Sequence, residues 1–133
     1  MNYLIDTHIL IWSLIEPNKI NEKLQNILKD KKNTIFVSKI SFWEISLKYS
    51  LGKIELTGIQ PEDFEKGTIK LGFEIKDIET NEVLSYYNLP KFKDHKDPFD
   101  RMIIWQCIKN KYILISRDSR IENYKNLGLK SIS

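Results

Sequence analysis

Apolar residues along this chain fall into two kinds of pattern. Short solid runs, Asn2–Ile5 (NYLI), Thr34–Val37 (TIFV) and Tyr112–Ile115 (YILI), predict buried strands, and the alternating segment Phe73–Ile78 (FEIKDI) predicts another. Between them run helical periodicities. One follows Asp6 to about Leu14, a second covers about Ile20–Lys31 with Ile20, Leu24, Ile27 and Leu28 on one face, and a third spans Ser41–Leu51 up to Gly52. Pro61–Leu71, ended by Gly72, and Asn81–Tyr87, ended before Pro90, predict two more. Residues 88–96 (NLPKFKDHK) read as a polar loop. The strongest helix is Pro98–Asn110, apolar nearly all round and therefore a buried one. Asp118–Tyr124 predicts a short helix and Leu127–Ile132 an edge strand.

Strands that alternate with helices predict an α/β fold: a mainly parallel sheet of four or five strands with helices on both faces. No repeat or linker divides the 133 residues, so residues 1–133 are expected to form one domain. No apolar run approaches the ~20 residues of a membrane span, and the acid at position 6 occupies the place of a signal peptide's basic region. The single cysteine, Cys107, precludes an internal disulfide and reads as a core thiol. The expectation is a soluble cytoplasmic protein. Trp12, Trp43 and Trp105 lie in helical apolar patterns and are expected in the core, whereas His95, in the polar loop, is expected at the surface.

The net charge of +3 identifies no partner, but the cations cluster at Lys29/Lys31/Lys32, Lys91/Lys93/Lys96 and Arg117/Arg120. Lysines outnumber arginines 18 to 3, which suits diffuse attraction to phosphates better than bidentate reading of bases.

In an open parallel sheet, ligands bind beyond the carboxyl ends of the strands. Asp6 follows NYLI directly and Asp118 follows YILI after Ser116-Arg117, so both acids are placed at that edge. Glu44 lies one turn into the helix after TIFV. Asp97 and Asp100 open the helix before YILI, on one face of it. Each acid also has a structural explanation. Asp6 and Asp118 suit helix caps, Asp97 before Pro98 is an N-cap sequence with Asp100 placed to close a capping box, and Ser41-x-x-Glu44 has the same form. Taken together, Asp6, Glu44, Asp100 and Asp118 from four separate segments would repel one another unless a cation neutralised them. Oxygen donors without a convergent His or Cys set point to Mg²⁺ or Mn²⁺. With basic clusters nearby, that equipment suits phosphodiester hydrolysis. Lys48, one turn after Glu44, is placed for an ion pair with it or for a phosphate.

The strings YLIDTHILIW, SFWEISLKYSLGKIEL, HKDPFDRMIIWQCI and YILISRDSRIENY, in this order, resemble the PIN-domain family, and within it the VapC-like toxins of type II toxin–antitoxin systems. The resemblance covers nearly the whole chain. It implies a Mg²⁺- or Mn²⁺-dependent endoribonuclease acting on RNA, commonly a homodimer, inhibited by a cognate protein antitoxin. It also implies catalytic and metal-ligating roles for Asp6, Glu44, Asp100 and Asp118, with Asp97, Thr7 and Ser116 as accessory residues. Two other functions use similar folds. A receiver-type signalling module also binds Mg²⁺ but needs paired acids after the first strand, where this chain has Asp6-Thr7-His8. A catalytically inactive RNA-binding module would not require the full acid set.

Overall fold

The computed structural model describes residues 1–133 and contains one five-stranded, wholly parallel sheet. Its strands are β1 (Asn2–Ile5), β2 (Thr34–Ser38), β3 (Glu74–Lys76), β4 (Ile113–Ile115) and β5 (Lys130–Ile132), in the order β3-β2-β1-β4-β5. The chain builds outward from β1 to β3, then returns to place β4 on the other side of β1. That reversal creates the crevice at the carboxyl edge in which such sheets bind ligands. The α/β class and the strand count agree with the sequence pattern.

Six α-helices connect the strands: α1 (Thr7–Ile15), α2 (Glu22–Lys29), α3 (Lys39–Ser50), α4 (Asp63–Lys70), α5 (Thr80–Ser85) and α6 (Pro98–Asn110). Both faces of the sheet are covered, which is why its central strands are solid apolar runs. Alternation along β1 divides the core: Tyr3 and Ile5 point to one cluster with Ile9, Leu10, Leu24 and Phe64, and Leu4 points to the other with Ile103, Ile104, Cys107 and Ile121. Gly67 marks a close approach of α4 to α1, since a Cβ there would collide with the Leu14 side chain.

Several local expectations are corrected. The helix expected from Ser41 begins at Lys39 with Ser38 as its cap, accepting from Ile40 N–H at 3.1 Å. Ser41 and Glu44 therefore form no capping box; both are buried in the helix body. The helix expected over 81–87 is α5 followed by a 3₁₀ turn at Tyr86–Asn88, and the one expected over 118–124 is a 3₁₀ helix at Ser119–Leu127. Trp43 is 61% exposed, with its ring edge-on to Phe99, so it is not a core residue. His95 is the opposite case: it is 1% exposed. Its loop is held down by Leu89, Phe92 and the buried ring of Tyr124, so a polar stretch of sequence conceals a buried side chain. No helix is long and apolar enough to cross a membrane.

Candidate metal centre

Helix starts place the acids. Asp6 ends β1 and caps α1, its Oδ1 accepting from Ile9 N–H at 2.9 Å. Asp97 caps α6 through Oδ1, from Phe99 N–H at 2.8 Å and Asp100 N–H at 3.2 Å, with Pro98 in the first turn where its missing N–H costs nothing. Asp118 Oδ1 accepts from Arg120 N–H at 2.9 Å. The capping explanation therefore holds for these three acids. It does not oppose a functional one: a cap engages Oδ1 and fixes the carboxylate, and Asp118 Oδ2 still lies 3.9 Å from His95 Nε2 and Asp97 Oδ2 4.0 Å from Lys48 Nζ. Asp100 caps nothing and closes no box with Asp97.

Asp100 is the hub. One carboxylate oxygen each from Glu44, Asp97 and Asp100 lie within 4.8 Å of one another, and Asp100, Asp118 and His95 form a second such group. Asp6, Asp100 and Asp118 line a cleft of about 330 Å³ together with Ser116, His8 and Arg117. A larger cavity of about 460 Å³, lined by Ile20, Leu28, Ile35 and Phe73, lies at the opposite edge of the sheet and holds no acid cluster.

The electrostatics of the acids differ by partner. Glu44, 2% exposed, accepts from Thr7 Oγ1 and pairs with Lys48 Nζ; Thr7 Oγ1 also lies 3.0 Å from Ser41 Oγ. Thr7 is thus a buried residue that holds Glu44. Burial alone would lower the Lys48 pKa, but the paired Glu44 outweighs it and holds the ammonium above its ordinary value. Asp118 is held below the usual carboxylate range, chiefly by the Arg120 side chain, which reaches both its oxygens at 2.7–3.2 Å. Arg120 is therefore engaged with an acid and is not a free phosphate contact. Ser116, 2% exposed, accepts from Asp118 N–H at 3.1 Å and lies beside Asp6. Asp6 is raised by burial, against the lowering effect of Ser116 and Ile9 N–H. Asp100 is pushed up to about 7, by burial first and then by Asp97, Glu44, Asp6 and Asp118.

No lysine or arginine of the chain pairs with Asp100 or Asp6. The donors fit a hard divalent cation: clustered carboxylates, no cysteine, and a pair of acids destabilised in their ionised form for lack of positive charge.

His95 is the residue at the site that the sequence reading missed; it also did not foresee the second contact of Lys48, whose Nζ lies 4.0 Å from Asp97 Oδ2. The i,i+4 spacing made the Glu44 pair legible, whereas nothing local marks a loop histidine as buried. Asp97→Asn, a swap between two good caps, is expected to change stability by less than about 1 kcal/mol, because Oδ1 can go on accepting both N–H groups. Thermal melting of the two proteins without metal tests this.

The PIN domain family matches residues 3–127, and the chain belongs to that family. Solved structures share the fold across nearly full length. VapBC2 from Rickettsia felis, bound to a DNA fragment from its promoter, has a TM-score of 0.66 at 21% identity, with 99% of this chain and 98% of that one covered. DNA-bound VapBC from Salmonella typhimurium gives 0.67 at 16% identity, with 99% and 97% covered. FitAcB from Neisseria gonorrhoeae gives 0.64 at 18% identity, with 98% and 96% covered. No curated relative matches the chain.

Proposed function

We propose that this protein is a metal-dependent endoribonuclease and the toxin of a toxin–antitoxin pair, acting in the cytoplasm. The observation that carries the nuclease reading is Asp100: a carboxylate crowded by four other acids and left without a cation of its own chain. Asp6, Glu44, Asp100 and Asp118 would hold Mg²⁺ or Mn²⁺, with Asp97, Thr7 and Ser116 as accessory groups. Held there, such an ion would supply Lewis acidity toward a phosphoryl oxygen and would lower the pKa of a water. The chain's own contribution is placement. Thr7 and Lys48 fix Glu44, helix caps fix Asp6 and Asp118, and the cleft beside them admits a phosphodiester. Lys91, Lys93 and Lys96, all exposed on the loop leading into α6, attract the RNA backbone.

The toxin reading is supported by the toxin–antitoxin complexes among the similar structures. A protein antitoxin would occlude the same acids, and an inserted Arg or Lys would supply the charge they lack. Exposed Val83, Leu84 and Tyr87 provide apolar surface for a homodimer.

Purified protein incubated with total RNA is expected to cleave in Mg²⁺ or Mn²⁺ and to fall by about 100-fold or more in excess EDTA, the scale of losing electrostatic stabilisation at a reacting phosphate. Undiminished cleavage in chelator would overturn the metal mechanism. Expression without a partner is expected to arrest growth, and normal growth with soluble, metal-active protein would overturn the toxin role.

A further inference from the structure

His95 Nε2 is the one buried side-chain nitrogen or oxygen in the chain without a hydrogen-bond partner. It is aimed into the acid cluster, 3.5 Å from Asp100 Oδ2 and 3.9 Å from Asp118 Oδ2. Native folds rarely leave such an atom idle, so its proton state decides what it does. As a bare lone pair it would be a metal ligand; as N–H it would be a donor to the carboxylates.

The opposite side of the ring settles this. His95 Nδ1 lies 3.0 Å from Tyr124 Oη, and Tyr124 Oη accepts from Arg101 Nη1 at 2.8 Å. Arg101 can only donate, and the phenol has one proton to give. If Tyr124 donates to Nδ1, the phenol is satisfied on both sides. The reverse arrangement leaves its O–H buried without an acceptor, which native folds avoid. With Nδ1 accepting from Tyr124, the ring has one nitrogen left to carry its proton. That proton is on Nε2.

We propose that His95 is a positioning residue: its Nε2–H, fixed by the Arg101–Tyr124–His95 chain, orients the Asp100 and Asp118 carboxylates toward the cation they share. The distances of 3.5 and 3.9 Å stand just outside hydrogen-bond range, and a carboxylate shift of about 0.5 Å closes the nearer one. Outer-shell donors of this kind fix the direction of a metal-binding carboxylate without adding charge. The neutral donor contrasts with Lys48 and Arg120, whose positive charges compete with a cation for Glu44 and Asp118. One string, HKDPFDR, thus supplies the donor, two acids and the arginine that anchors the relay.

The proposal rests on the metal-dependent reading above, and the test separates the two. In the metal-free protein, a long-range ¹H–¹⁵N spectrum is expected to show His95 protonated at Nε2 and bare at Nδ1. Mn²⁺ binding is then measured calorimetrically for wild type, His95→Gln and His95→Asn, with melting curves to confirm folding. Gln can place an N–H where Nε2 stands, whereas the shorter Asn cannot. His95→Asn is expected to weaken Mn²⁺ binding about 10- to 100-fold, with His95→Gln within about threefold of wild type. Tyr124→Phe removes the donor to Nδ1 and is expected to populate both tautomers, which tests the relay should the His95 variants misfold. A proton on Nδ1 in wild type, or equal weakening by Gln and Asn, would overturn the positioning role alone. A wild type that binds no Mn²⁺ would overturn the metal reading and the proposal with it.

Discussion

Asp100→Asn is expected to abolish metal-dependent cleavage while leaving the metal-free protein as stable as wild type or more so. In the folded chain the Asp100 carboxyl is raised from 3.8 to about 7, by burial and then by Asp97, Glu44, Asp6 and Asp118. A folded pKa above the unfolded one means that the native state binds the proton more tightly. Its stabilising contribution is therefore complete below about pH 3.8 and is lost as the pH rises through about 7. At 1.36 kcal/mol per unit, this rise of roughly three units caps the destabilisation of the metal-free wild type at about 4 kcal/mol above neutrality. Asn does not ionise. The variant's melting temperature should thus meet or exceed that of wild type, with the gap widening from pH 5 to pH 8.

With saturating Mn²⁺ the order should reverse, since wild type gains RT ln(1 + [L]/Kd), about 2.7 kcal/mol at 100 Kd, and the variant gains less. Because the ion must displace the Asp100 proton, its affinity for wild type should climb toward pH 7 and level above it. Melting curves at two pH values, with and without Mn²⁺, test both halves. Equal metal-induced shifts in the two proteins would remove Asp100 from the metal centre, and a gap that ignores pH would contradict the crowding.

Arg101→Ala should be the costliest single change next to the site. The Arg101 side chain is 6% exposed and has no carboxylate partner. Neutral oxygens hold it instead: Tyr86 Oη at 3.0 Å, Pro90 O at 3.0 Å, Tyr124 Oη at 2.8 Å and Leu89 O at 3.1 Å. Truncation strands two acceptors in fully buried contacts, Tyr124 Oη and Leu89 O, at about 1–3 kcal/mol each, so a loss of about 3–5 kcal/mol is expected. That is a large share of the ~5–15 kcal/mol that holds a domain together. Melting should fall by about 10 °C or more for a chain of this size. Arg101→Lys keeps the charge but not the fork, and should recover only a minor part of the loss. A lysine variant within about 0.5 kcal/mol of wild type would show that charge, and not the forked geometry, is what the site requires.

The sequence by itself determined the class of fold and which acids stand at the carboxyl edge of the sheet. Apolar runs of four residues rich in β-branched and aromatic side chains fit strands covered on both faces, and helical periodicities between them favour a parallel sheet as the way to join them. Asp6 and Asp118 were legible for the same reason. Each stands a residue or a few beyond a buried strand, and the carboxyl edge of the sheet is a property of strand direction. The Glu44–Lys48 pair was legible from helical spacing alone.

Only the tertiary structure decided which reading of each residue prevails. Local pattern cannot show that Asp100, unlike its neighbour Asp97, caps nothing and faces four other acids. Nor can it show that Arg120 is spent on Asp118, that Trp43 stands in solvent, or that Ser41 begins no helix. His95 is the clearest case. Its sequence neighbours are polar, and its ring is covered by Tyr124, which lies on an element that begins after the loop ends and is itself held by Arg101. Sequence patterns record the contacts a residue makes with its own element. Burial and proton placement depend on contacts between elements distant in the chain, and those exist only once the sheet has brought their ends together.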